Sequence, residues 1–299
     1  MKPAIQGTVA AYTRKFPGRV RAMYVDGSVA DGTDLATSDL DLTVVFKDAF
    51  RDEGERDFAT HLAYGAEHIP DIELDVGSVD EATVQTEGMH PTLKLASRIV
   101  WGEDIRDRFP IMPIARWTRD RMHAAYWLTN TLYGRPAPVR LPLAYSDPDD
   151  EFYGYLRRTV RLPDGGDVPS SRDLIRSTGW AATALLACRK GVYVARKRDC
   201  HVLYREHIGD EWSDLLAAIY DDCRTRWSYL IPADKDERAR LRALCARTLP
   251  FENTFIAEYR RFLLDELRSD DAEAHAHALK VQGMLPLRDA EVEQALAAL

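Results

Sequence analysis

Long hydrophobic runs are missing from this sequence, and no segment approaches the ~20 apolar residues of a membrane span. The opening residues, Met1-Lys2-Pro3-Ala4, also lack the apolar stretch of a secretory leader. Cysteine is scarce: Cys188, Cys200, Cys223 and Cys245 all lie in the second half, and no two form a CxxC pair. That spacing suits neither a zinc site nor a disulfide framework. Reduced, mostly buried thiols are expected, in a soluble cytoplasmic protein. Positive charge is not in excess either, since 40 Lys and Arg face 48 Asp and Glu for a net charge of −8. A general polyphosphate binder draws its affinity from neutralising phosphates, so nucleic acid is not expected as a partner. Internal repeats and low-complexity tracts are absent as well.

What is present is an ordinary globular composition, 45% hydrophobic and 29% charged. At 299 residues the chain exceeds the usual ~100–200 of one domain, so two domains are expected, 1–112 and 113–299. Chains of roughly 300 residues bury about three quarters of their unfolded surface, so no metal or disulfide staple is needed.

The first region reads as alternating elements. A short helix is expected from Ala4 to Lys15, ending before Pro17, and a strand from Arg19 to Asp26 that Gly27 closes. Asp39 to Phe46 alternates and then turns continuously apolar, as a central strand does. A helix follows with Phe58, Leu62 and Ala66 on one stripe, broken at Pro70-Asp71, and Ile72 to Val79 alternates again as a third strand. Pro91 to Val100 reads as helix, with a turn at Trp101-Gly102-Glu103. From Pro113 the texture becomes helical. Helices are expected around Trp117 to Leu132, from Ser170 or Ser171 to a stop at Gly191, and from Ser213 to Trp227. Two more are expected on either side of Pro250, and two weaker ones split near Gly283 and Pro286. The fold class is α+β: a small mixed sheet with helices, followed by an all-α bundle.

One constellation carries chemistry. Asp39 and Asp41 stand at i and i+2 on a strand, so their carboxylates share a face and can bind one or two divalent ions together. Hard cations such as magnesium want such oxygen ligands. Glu73 and Asp75 obey the same rule on the third strand, and if the strands are neighbours the four acids form an anionic cluster. Gly27 permits close backbone approach, and Ser28 offers a hydroxyl and an amide where phosphate is favoured. Gly-Ser alone, or Asp-x-Asp alone, carries no weight. The specific signal is the series of strand, Gly-Ser, about ten residues, Ser-Asp-Leu-Asp-Leu and a later acidic strand.

Tyr24-Val25-Asp26-Gly27-Ser28 with Ser38-Asp39-Leu40-Asp41-Leu42 resembles the signature of the DNA polymerase beta-like nucleotidyltransferase superfamily. The resemblance implies Asp39 and Asp41 as magnesium ligands and Ser28 as a triphosphate contact. Glu73-Leu74-Asp75-Val76 resembles the third-strand element of aminoglycoside 3''-adenylyltransferases, which implies Glu73 as general base on an acceptor hydroxyl. Asp75 departs from that element, which leaves open whether Glu73 or Asp75 completes the acidic triad. Gly191-Val192-Tyr193-Val194-Ala195-Arg196-Lys197 is similar to the segment after the long helix of that group and implies Lys197 as a triphosphate contact. Arg196-Lys197-Arg198 reads equally well as a solvated basic turn.

The function so implied is magnesium-dependent transfer of AMP from ATP to a hydroxyl of a small molecule, cationic ones such as aminoglycosides included, in a cleft between the domains. Two rivals stand beside it: AMP transfer to a protein hydroxyl, as in toxin–antitoxin systems, and a silent nucleotide-binding regulator. Trp180, Trp212 and Trp227 are expected as core or interface residues rather than a base-stacking platform. His275 and His277, two apart on a helix, do not share a face and make a poor metal site.

Overall fold

The computed structural model describes residues 2–65, 73–162 and 165–298. The chain divides into two compact units, Met1–Pro113 with Ala195–Lys197, and Ile114–Val194 with Arg198–Leu299. The architecture is mixed α+β, with a small mixed sheet in the first unit and a helical second unit. No helix among the described residues is long and apolar enough to cross a membrane.

The first unit begins with α1 (Lys2–Lys15), β1 (Val20–Val25), α2 (Gly27–Asp31) and β2 (Leu40–Phe46). It continues with α3 (Glu53–His61), β3 (Leu74–Asp80), α4 (Glu81–Glu87), α5 (Pro91–Ala96) and β4 (Arg98–Gly102). The sheet order is β3-β2-β1-β4. β1 runs antiparallel to both β2 and β4, while β2 and β3 are parallel. Alternation assigns the two faces. Met23, Val25, Leu40, Leu42, Leu74 and Val76 pack beneath α1, whereas Ala22, Tyr24 and Val45 pack with Val84, Met89 and Leu93 on the other side.

The sequence expectation for 91–100 needs correction. The helix stops at Ala96, and Ile99, Val100 and Trp101 belong to a fourth strand on the open edge of β1. β-branched and aromatic residues suit that pleated edge better than a helix. The stripe expected on α3 is also displaced: Phe58 is exposed while Ala59 is fully buried. Ala66 and Pro70-Asp71 lie outside the described residues, as does Ile72 at the start of the expected third strand.

The second unit contains α6 (Ile114–Thr131), α7 (Arg172–Lys190), α8 (Cys200–His207), α9 (Ser213–Ile219), α10 (Lys235–Leu267), α11 (Ala272–Met284) and α12 (Ala290–Ala297). α7 ends as expected at Gly191, whose φ of 64° lets its N–H reach Ala187 O. Ser171 is the N-cap residue of that helix, but its hydroxyl makes no capping hydrogen bond and donates instead to Tyr229 O at 3.1 Å.

The two helices expected on either side of Pro250 are one continuous helix, α10. Proline removes an N–H and leaves the carbonyl four residues earlier without its helical donor. That carbonyl is Ala246 O, and the Tyr145 hydroxyl donates to it at 3.1 Å. The helix therefore continues with its broken rung satisfied from outside. Its buried face, with Leu241, Leu244, Phe251, Phe255, Tyr259 and Leu263, forms the spine of the core.

Candidate functional site

The first unit gathers its acidic residues by strand register. Asp41 pairs with Asp75 across the parallel β2–β3 ladder, and Leu40 N–H donates to Glu73 O at 2.9 Å. The same end of β2 also meets the end of β1, where Asp26 N–H donates to Asp41 O at 2.9 Å. Leu40, Leu42, Leu74 and Val76 take the buried face, so alternation puts Asp41 and Asp75 together on the other. Asp39 precedes β2 and is half-buried, while Glu73 and Asp75 are exposed. The four acids lie at one end of two neighbouring strands.

Gly27 and Ser28 open α2 immediately after β1. Gly27 has φ +62°, and a Cβ built there would stand 2.3 Å from Asp41 Oδ2. The glycine backbone therefore rests directly on the carboxylate, and no L side chain fits without displacing it. Gly27→Ala is expected to lower stability by about 1–2 kcal/mol through the left-handed backbone alone. It should also push the Asp41 carboxylate out of place. Thermal unfolding with and without nucleotide checks this, and a variant as stable and as nucleotide-responsive as the parent would contradict the close approach.

Lys197 belongs to the first unit with Ala195 and Arg196. Its Nζ lies 3.7 Å from Asp41 Oδ2, although the lysine side chain is 71% exposed, so solvent screens the pair. Arg196 anchors the segment by donating to Asp31 Oδ1 at 3.0 Å and to Leu95 O at 3.3 Å. The Arg196-Lys197 pair is therefore docked on this unit, with the lysine directed at an acid of the sequence motif.

Asp26 is the residue to which sequence reasoning gave no role. It is nearly buried, accepts a hydrogen bond from Thr43 Oγ1 at 2.6 Å through Oδ2, and its buried Oδ1 meets no partner among the described residues. Burial pushes its pKa up to about 7; the Thr43 hydrogen bond opposes that, the Asp41 charge adds to it, and Lys197 opposes it. The available signal was an acid immediately before Gly-Ser at the end of an otherwise apolar strand.

The donor set is chemically suited to a hard divalent cation, because every candidate offers carboxylate oxygen. Among the described residues no group of three or more His, Cys, Asp and Glu is gathered closely enough to hold a metal by itself. Magnesium commonly binds through one or two carboxylates completed by substrate phosphates and water. Asp39 and Asp41, the latter against the Gly27 backbone, fit that mode rather than an all-protein cage.

Residues 9–100 match the family model of the nucleotidyltransferase domain. No curated protein matches the chain. Among solved structures, the chain is similar to a spectinomycin adenyltransferase from Enterococcus faecialis, solved with ATP and spectinomycin. The identity is 11%, the match covers 82% of this chain and 99% of that one, and the TM-score is 0.47.

Proposed function

We propose, starting from residues 9–100 being a nucleotidyltransferase domain, that this protein transfers AMP from ATP to the hydroxyl of a small molecule. The observation that carries the reading is convergence on Asp41. Its neighbour in register is Asp75, the Gly27 backbone rests on its carboxylate, and the Lys197 ammonium stands 3.7 Å away. Carboxylates, a glycine approach and one cation at a strand end are the parts that a triphosphate site requires.

Asp39 and Asp41 would hold magnesium, with Asp75 as a further carboxylate. The ion would neutralise charge on the triphosphate and its leaving pyrophosphate. Gly27 admits the phosphate oxygens close to the backbone, and Ser28 adds its hydroxyl and amide. Lys197 contributes a mobile positive charge to the phosphates. Glu73, exposed just before β3 with its main-chain carbonyl accepting from Leu40 N–H, takes the proton of the attacking hydroxyl. The acceptor oxygen then bonds to the α-phosphorus as the bond to pyrophosphate breaks.

Aminoglycosides, the acceptors that the third-strand resemblance implies, head the test panel. Incubation with ATP labelled at the α-phosphate, magnesium and a panel of hydroxylated compounds is expected to place label on a small molecule. Label on a protein hydroxyl would favour the second reading, and nucleotide binding without turnover on any compound would overturn AMP transfer.

A further inference from the structure

A chain of contacts in the first unit closes into a ring at Asp41. Gly27, at the start of α2, rests its backbone on Asp41 Oδ2, and the Lys197 ammonium stands 3.7 Å from the same oxygen. Arg196, the residue before that lysine, donates from Nε to Asp31 Oδ1 at 3.0 Å. Asp31 is the last residue of α2, about one turn after Gly27. The ring therefore runs from the start of α2 through Asp41, Lys197 and Arg196 to the end of α2. Gly32 secures that end, with φ at 68° and its N–H donating to Ser28 O.

The same guanidinium holds a second element. Arg196 Nη2 donates to Leu95 O at 3.3 Å, and that oxygen is among the last four carbonyls of α5, which lack a donor within the helix. A cation is favoured at that negative helix end. Two N–H groups of one planar fork thus grip a carboxylate on α2 and a carbonyl on α5, which fixes the direction of the arginine as well as its distance. The Arg196 side chain is 37% exposed, so water screens the ion pair and its contribution to folding is small. Its consequence is position. The lysine side chain, largely exposed, has rotamer freedom to lose when it engages a phosphate. A main chain already fixed at the preceding residue leaves less to be ordered at that moment.

We propose that Arg196 is a positioning residue of the nucleotide site, clasping α2 and α5 so that Lys197 is held toward a triphosphate bound at Gly27 and Ser28. This rests on the reading of Gly27, Ser28 and Lys197 as triphosphate contacts, and it joins them: one clasp presents both the glycine cradle and the lysine. In this role Arg196 touches no phosphate itself. Lysine is not a substitute, because an ammonium is a point charge on a flexible stem and has no planar fork.

The test reads affinity rather than turnover. The α,β-methylene analogue of ATP, which cannot lose pyrophosphate, is titrated with magnesium into the full-length protein by calorimetry. Lys197→Ala is expected to bind it at least ~10-fold more weakly, as the loss of a charge-assisted contact requires. Arg196→Lys, and Asp31→Ala on the other side of the clasp, are each expected to bind it at least ~3-fold more weakly, with thermal midpoints close to the parent's. The deciding readout is the double variant Arg196→Lys with Lys197→Ala. A residue that acts only by positioning the lysine has nothing further to lose once the lysine is gone, so the double variant is expected to bind like Lys197→Ala alone.

A residue that merely supports the fold around the site weakens binding by the same factor in both backgrounds, and that additivity would overturn the proposal. Parent-like affinity in Arg196→Lys or Asp31→Ala overturns it too. Arg196→Gln takes the same place in the cycle if the lysine variant fails to fold. If the parent does not bind the analogue, or Lys197→Ala binds it as tightly as the parent, the triphosphate reading fails and the clasp fails with it. Failure of the clasp alone leaves the loss in Lys197→Ala standing, so the two failures are distinct.

Discussion

Replacing Asp41 by asparagine is expected to reduce AMP transfer on the order of 10³-fold, about 4 kcal/mol of transition-state stabilisation, with the fold unchanged. The substitution preserves shape and removes charge. The main-chain carbonyl of Asp41 still accepts from Asp26 N–H, and the β2–β3 ladder does not use the side chain. The ion pair of this carboxylate with Lys197 involves a lysine that is 71% exposed, so its loss costs little stability. Asp39→Asn should behave alike, since both carboxylates would hold the same ion. Initial rates with labelled ATP, set beside thermal midpoints that agree within about 3 °C, separate a lost function from a lost fold. Transfer within a few-fold of the parent in either variant would remove these residues from the metal site. Glu73→Gln should fall by roughly 10²- to 10⁴-fold if it is the general base. If Asp75→Asn falls further than Glu73→Gln, the third carboxylate is Asp75.

Much of this arrangement was legible in the sequence because it is local. Two acids at i and i+2 share a strand face whatever else the chain does, and the Gly-Ser that closes an apolar strand marks a tight approach. What escaped depends on distant partners. β4 is a five-residue edge strand whose identity comes from pairing with β1, some seventy residues earlier, and a short apolar run after a helix gives no periodicity to reveal that. The continuity of α10 through Pro250 depends on Tyr145, 101 residues away, which satisfies the carbonyl that the proline leaves bare. Asp26 could be read as a letter of the motif, but its burial and its Thr43 partner come from the neighbouring strand. Patterns within a turn or a strand pair are written in the sequence, whereas the satisfaction of a single polar atom is a tertiary fact.

The largest effect on stability is expected in the second unit, at the pair Arg135 and Glu252. Both are nearly fully buried, with Arg135 Nη2 donating to Glu252 Oε2 at 2.6 Å and the Tyr155 hydroxyl donating to the same oxygen at 2.7 Å. Arg135 also donates to Thr129 O at 2.6 Å and to Ala144 O at 3.2 Å. Arg135→Met would therefore leave a buried carboxylate without its countercharge and two carbonyls without a donor, and it is expected to destabilise the unit by about 3–5 kcal/mol. The pH dependence identifies the cause. Burial raises the Glu252 pKa above the ordinary carboxylate value, and Arg135 opposes that rise, so removing the arginine moves the folded-state value further up. A carboxyl raised in the folded state binds its proton more tightly there than in the unfolded chain, so stability falls as pH climbs from the unfolded value towards the folded one. The deficit of Arg135→Met should accordingly be smallest near pH 4 and grow towards neutrality. The double variant Arg135→Met with Glu252→Met removes the stranded charge and should recover part of the loss, because an absent buried pair costs less than a broken one. Chemical denaturation of the parent, the single variant and the double variant across that pH range is the measurement. A double variant less stable than the single one, or a deficit that does not change with pH, would show that the pair contributes through packing rather than charge.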